Sequence, residues 1–337
     1  MILARTIPLL ALLIASTLAA RADVLVVLNK SDHEAALVDP ATLEVLAKLP
    51  TGRGPHEAAM SPDGGVAYVS NYGGWAMFRD GEEPKREAGS TLTLLDLKGR
   101  AVKATWSLGE NRLPHGIATS RDGKRLWVTV EGAHKVLEID AATGEIGRTF
   151  GIRQEVSHMV VSTPDDRKLY VANIASGSVS VIDRASGDVK TVKTGAGAEG
   201  IDVSPDGREV WVSNRAADTV SVIDTATDRL VATFPSGGKF PIRVRFTPDG
   251  RQAWVSNANS NTLAVFEVAG RKLLGTVEVG AVPIGVVMSP DGSRAFVACS
   301  RADRIDVVDV ASRKVVKSFT TGKEPDGMAW AAFGDRE

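Results

Sequence analysis

Five residues able to bind metal or move protons, His56, His115, His158, Glu199 and Asp326, each stand at the head of a similar short segment. They follow Pro55, Pro114, Ser157, Ala198 and Pro325, and the pairs Pro241-Ile242 and Pro283-Ile284 put isoleucine in the same slot. Imidazoles and carboxylates converging on one point suit a divalent transition metal such as zinc, copper, iron or manganese. Three histidines with an open fourth position could also bring a bound water toward ionisation near neutral pH. Arg243, one residue beyond the slot, could grip a carboxylate or stabilise developing negative charge. The metal reading takes His56, His115, His158, Glu199 and Asp326 as ligands, and the catalytic candidates are His158, Glu199 and Arg243. The five lie about 40 residues apart, so local spacing lends no support. They meet only if the segments carrying them fold in register about one axis.

Those segments belong to a repeat. Gly197 to Thr227, GAEGIDVSPDGREVWVSNRAADTVSVIDTAT, reads as strand, tight turn, strand, loop, strand. Ser204-Pro-Asp-Gly207 supplies the fixed and the positive φ of a turn, and Val210-Trp-Val212 has the β-branched and aromatic character of a strand. The turn recurs at 61–64, 120–123, 163–166, 247–250 and 289–292. A second strand follows each turn (AYVSN, LWVTV, LYVAN, VWVSN, AWVSN, AFVAC) and then a third (TLTLLD, KVLEID, SVSVID, TVSVID, TLAVFE, RIDVVD). No segment shows a helical period. Six whole units result, and self-similarity at this period marks a propeller with four strands per blade.

The ends supply a seventh unit. Residues 24–50 read as second, third and fourth strands only, while Glu324 to Trp330 reads as a first strand with nothing after it. Joined, they complete one blade and leave no free sheet edge. The expected fold is an all-β, seven-bladed β-propeller of four-stranded blades, one domain spanning 23–337. In register, the slot becomes a ring of His56, His115, His158, Glu199, Ile242, Ile284 and Asp326 about the channel. The next column is Glu57, Gly116, Met159, Gly200, Arg243, Gly285 and Gly327, and deeper still Asp202 and Arg245 read as a structural ion pair.

Residues 1–22 have the form of a secretory signal peptide, with Arg5, an apolar run from Ile7 to Leu18 and the cleavage motif Ala20-Arg-Ala22. The mature chain is expected in the periplasm or secreted, with no membrane span after cleavage. The whole sequence has 40 basic and 41 acidic residues; without Arg5 and Arg21 of the leader, 40 − 2 = 38 basic residues face 41 acidic ones, a net of −3, and the chain bears no electrostatic footprint for nucleic acid. The single Cys299 excludes an intramolecular disulfide.

Between Asn71 and Thr91 one loop is enlarged to YGGWAMFRDGEEPKREAGS (72–90), and its Trp75 and Phe78 suggest either a solvated surface loop or a lid. The two remaining histidines, His33 and His134, fall in second-to-third-strand loops on the same predicted face. Gly195-Ala-Gly-Ala-Glu-Gly200 matches a dinucleotide fingerprint literally, but no helix follows it. Cys299 occupies the slot of Asn71, Asn214 and Asn257, which reads as a strand-end position.

Tyr-Val-Ser-Asn (68–71), Trp-Val-Ser-Asn (211–214 and 254–257) and Val-Ser-Val-Ile-Asp (179–183 and 220–224) resemble the YVTN-repeat family of bacterial seven-bladed propellers. The resemblance covers the mature chain and implies the fold. The same repeats occur in binding proteins, surface proteins and lactonase-like enzymes, so it does not choose among activities. Lactonase-like and muconate-cyclising propellers use histidine, glutamate and arginine in the channel mouth, and His158, Glu199 and Arg243 are similar in kind. Three readings stand open: a periplasmic binding propeller for a metal or small anionic ligand; a lactonase-type hydrolase or lyase; and a scaffold for a periplasmic protein partner.

Overall fold

The computed structural model describes residues 23–73 and 87–333. Residues 1–22, where a signal peptide is expected, and most of the enlarged loop, including Trp75 and Phe78, lie outside the described residues. Among the described residues, twenty-eight strands form seven four-stranded antiparallel sheets, each made of consecutive strands except one. In that one, Pro325–Ala331 pairs with Val24–Asn29, matching Val24 to Ala331 and Val26 to Ala329. The ring therefore closes through both termini, as the missing first strand of residues 24–50 requires. No helix among the described residues is long and apolar enough to cross a membrane.

The first strands are Pro55–Met60, Pro114–Thr119, Ser157–Ser162, Ala198–Val203, Pro241–Phe246, Pro283–Met288 and Pro325–Ala331. Each packs against the first strands of its two neighbours and lines the channel. Hydrophobic clusters fill the wedges between blades. One joins Tyr68 and Leu92 to Ile117, Leu126 and Val128 of the next blade, and another joins Trp211 to Val244, Phe246 and Phe266. The aromatic of the second-strand motif goes into these wedges, where Trp127, Tyr170, Trp211 and Trp254 are fully buried. A ring of this size removes about 150–250 Å² from water, so these positions dominate blade-to-blade cohesion.

The remaining motif letters also have physical jobs. The hydroxyls of Ser70, Thr129, Ser213 and Ser256 donate to the carbonyls of His115, His158, Ile242 and Ile284 on the following blade. The motif asparagine holds the Gly stretch that precedes its own first strand; Asn71 accepts from the Gly52 N–H and donates to Thr91 and Thr93. Asp306 does this for Gly280 in the blade where Cys299 replaces asparagine, and burial beside that carboxylate pushes the Cys299 thiol up to about 12. The Pro-Asp-Gly turns lie at the other ends of the first strands. There Arg245 approaches Asp202 at 3.4 Å, and burial still raises the Asp202 carboxyl above its ordinary range.

Candidate functional site

Each ring residue is aimed by the same local device. In all seven blades the pairing of first with second strand slips by one residue at the slot or just after it, forming a β-bulge. Bulges of this kind redirect side chains. The residue two before the slot has positive φ in every blade: Gly54, Leu113, Val156, Gly197, Phe240, Val282 and Glu324. For β-branched Val156 and Val282 this conformation is costly and must be enforced by the surroundings. The enforcing contact is visible in each blade, because the carbonyl of that residue accepts the N–H of the residue just after the second strand's motif. Those donors are Tyr72, Glu131, Ile174, Arg215, Ala258, Ser300 and Lys30, at 2.9–3.1 Å.

The result is a second ring stacked on the first, and together they line a cavity of about 670 Å³. Sequence reasoning found the first ring and missed the second. Its signal was available: the column one past Asn29, Asn71, Val130, Asn173, Asn214, Asn257 and Cys299 reads Lys30, Tyr72, Glu131, Ile174, Arg215, Ala258 and Ser300. The cavity is two-faced. Ile242, Ala258, Val282 and Ile284, from two adjacent blades, make one wall apolar, and histidines, Tyr72, carboxylates and cations make most of the rest.

His56, His115, His158, Glu199 and Asp326 all reach this cavity, so the register is correct. They do not converge as metal ligands, and among the described residues no group of three or more His, Cys, Asp or Glu is placed to hold a metal ion. The physical reasons are specific. The His115 and His158 rings stack at 3.6 Å between centroids, with His56 edge-on to His115 at 4.9 Å, which keeps their lone pairs from meeting at one point. His158 is flanked at both nitrogens by carboxylates, Nδ1 to Glu131 at 2.5 Å and Nε2 to Glu199 at 3.5 Å. Asp326 is taken by Lys30 at 2.9 Å, and Glu199 by Arg215 at 2.8 Å. The two carboxylates of the set are thus committed to protein cations.

The three imidazoles are held in different states. Burial opposes charge on His158, but the hydrogen bonds and charges of Glu131 and Glu199 outweigh it and push it up to about 9. Burial, with Lys30 nearby, lowers His56 to about 4, and burial beside His158 holds His115 well below the usual range. Burial alone would raise Glu131, yet His158 and the Tyr72 hydroxyl, donating at 2.6 Å, bring it down. Asp326 is likewise lowered by Lys30 against its burial. His56 donates from Nδ1 to the Gly54 carbonyl at 3.0 Å, so its Nε2 carries the lone pair.

Arg243 does not join His158 and Glu199. It crosses beneath the rings to pair with Glu57, and its Nη1 lies 3.5 Å from the Met159 sulfur. These three are the side chains of a column otherwise made of glycines, and they form the cavity floor. His33 and His134 fall in the expected loops at positive φ, but both serve backbone contacts and neither lines the cavity.

A family model described as YNCE-like beta-propeller matches residues 148–290. Among solved structures, a "Kuenenia stuttgartiensis Hydrazine Synthase" chain is 20% identical at a TM-score of 0.74, covering 86% of this chain and 92% of that one. Dihydro-heme d1 dehydrogenase NirN in complex with DHE is 20% identical at 0.65, covering 90% of this chain and 65% of that one. A functionally unknown protein from Desulfotomaculum acetoxidans is 14% identical at 0.77, covering 92% and 99%. At these identities the likeness is one of fold. A comparison with curated proteins finds no match. The YVTN-like propeller expected from the repeat motifs is borne out by the family model and by the fold.

Proposed function

We propose that this YVTN-like propeller binds a small organic anion with an apolar body in the cavity at the channel mouth. One observation carries the reading. Around Glu199, which is 6% exposed, the two flanking cations are the accessible partners, His158 at 15% and Arg215 at 20%. All four groups line the cavity, but the cations are more exposed to it than Glu131 and Glu199, at 7% and 6%, which balance them. An anion can thus contact charged donors without displacing a buried pair, while its body lies on the isoleucine and valine wall. The volume suits a small molecule held mainly by apolar contact with a few placed polar groups. The leader-like N-terminus supports a site of action in the periplasm.

Calorimetric titration with a panel of aromatic and aliphatic carboxylates tests this. Arg215→Ala and His158→Gln should each weaken a binding carboxylate about tenfold or more, and the corresponding uncharged amide should not bind. Equal binding of acid and amide would overturn the reading.

A hydrolase or lyase reading is favoured by one feature, the opposite protonation states of His56 and His158, since separated pKa values divide an acid from a base. It would require lactone turnover that falls with Glu199→Gln. Arg243, engaged by Glu57, is not available as an oxyanion donor in that scheme.

A further inference from the structure

Away from His158 and Arg215, the polar wall has a second corner with different chemistry. His56 Nδ1–H is spent on the Gly54 carbonyl, so its Nε2 presents a lone pair, 4.0 Å from Asp326 Oδ2. Lys30 reaches the same Asp326 oxygen at 2.9 Å, and all three residues line the cavity. This corner therefore offers an acceptor on His56 and a donor on the Lys30 ammonium, side by side. A carboxylate placed there would meet the lone pair of Nε2. An ammonium would meet Lys30, whose charge Asp326 already balances. A hydroxyl satisfies both, since it donates one proton and accepts with its oxygen.

A second, independent observation points the same way. His115, buried to 5% and stacked between the two corners, has an Nδ1 with no hydrogen-bond partner. Burying an unsatisfied polar atom costs about 1–3 kcal/mol, and a ligand polar group would remove that cost.

We propose that the ligand is a hydroxy acid, with its carboxylate against His158 and Arg215 and its hydroxyl in the corner formed by His56 and Lys30. The inference rests on the anion-binding reading above and adds the hydroxyl. A site built to hydrogen-bond a hydroxyl discriminates against the analogue lacking it, because its buried groups are then left unpaired. His56 and Lys30 are in this sense specificity-determining residues.

The test uses matched probes, phenylacetate with para-hydroxyphenylacetate and hexanoate with omega-hydroxyhexanoate, titrated calorimetrically into the full-length mature protein. In at least one pair the hydroxylated member should bind ten times more tightly or better. In His56→Phe that ratio, read between the two members of the pair in the variant itself, should fall to about one. Should His56→Phe fail to fold, His115→Phe gives a second variant, and the wild-type ratio alone remains decisive. Equal affinity within both pairs, lost in Arg215→Ala, would overturn the hydroxyl assignment and leave the anion reading intact. Absence of binding by all four probes at millimolar concentration would count against both.

Discussion

The guanidinium of Arg243 crosses the channel to the carboxylate of Glu57, joining two blades that have no neighbouring blade in common. Both side chains are buried, at 5% and 6% exposure. Attraction to Glu57, together with its hydrogen bond, raises the Arg243 pKa against the effect of burial. Removing one partner of such a pair leaves an uncompensated buried charge, at a cost of about 3–5 kcal/mol. Glu57→Leu and Arg243→Met should each destabilise the propeller by that order. The double replacement Glu57→Leu with Arg243→Met should recover most of the loss, because an apolar pair of similar size needs no compensation. Urea midpoints for the four proteins of this cycle check the coupling. Additive effects would mean that the pair does not act as a unit.

Stability should have opposing limbs with pH, one for each kind of histidine. His56 falls from an ordinary 6.5 to about 4 in the folded state, so the unfolded chain binds more protons between those values. Its contribution is present above 6.5 and is lost as pH falls toward 4. His158 rises to about 9, so the folded state binds more protons from 6.5 upward. Its contribution is present below 6.5 and is lost as pH rises through 9. Each shift corresponds to roughly 3 kcal/mol. Denaturation midpoints should therefore peak between the two limbs. His158→Gln should flatten only the alkaline limb, and His56→Gln should flatten the part of the acid limb that His56 contributes.

Much of this was legible in the sequence because a propeller repeats one set of instructions. The missing first strand of residues 24–50 and the orphan strand after Glu324 required the closure now seen between Val24 and Ala331. The slot column placed His56, His115, His158, Glu199 and Asp326 around one cavity. What could not be read was which side chains would pair once there. A column gives position about the axis, whereas Lys30 takes Asp326 and Arg215 takes Glu199 from a different column, at the end of the second strand. The metal expectation counted ligands without the cations that compete for the two carboxylates. Arg243, a catalytic candidate with His158 and Glu199 by its place in the next column, has a side chain long enough to span the channel, and it pairs with Glu57.

The hydroxyls of the second-strand motif should each contribute modestly. Ser213 donates to the Ile242 carbonyl on the next blade at 3.2 Å and accepts from the Gly200 N–H at 2.9 Å. Ser213→Ala removes both contacts from a dry site, which should cost about 1–2 kcal/mol. The chain already carries alanine at the equivalent Ala172 and Ala298, so the blade should survive the change. Unfolding at equilibrium measures the loss, and hydrogen exchange at Gly200 should quicken locally.

Glycine in the column beside the ring is required by space. A Cβ on Gly200 would lie 2.0 Å from the Ile242 carbonyl oxygen and 2.8 Å from the Arg243 Cα, both backbone atoms of the adjacent blade. Neither can swing aside, so Gly200→Ala must push two first strands apart and disturb the bulges that aim Glu199. Overpacking of this kind costs about 1–3 kcal/mol even where side chains can yield, and here the loss should reach the upper end. The control is Gly151, in the outer strand Ile146–Gly151, where a Cβ would meet nothing within 4 Å. Gly151→Ala should be neutral or stabilising by a few tenths of a kcal/mol, since it removes freedom from the unfolded chain. Thermal unfolding of the two variants decides the point. If both behave alike, glycine in the ring column reflects turn propensity, and the close approach of the first strands does not set the width of the channel.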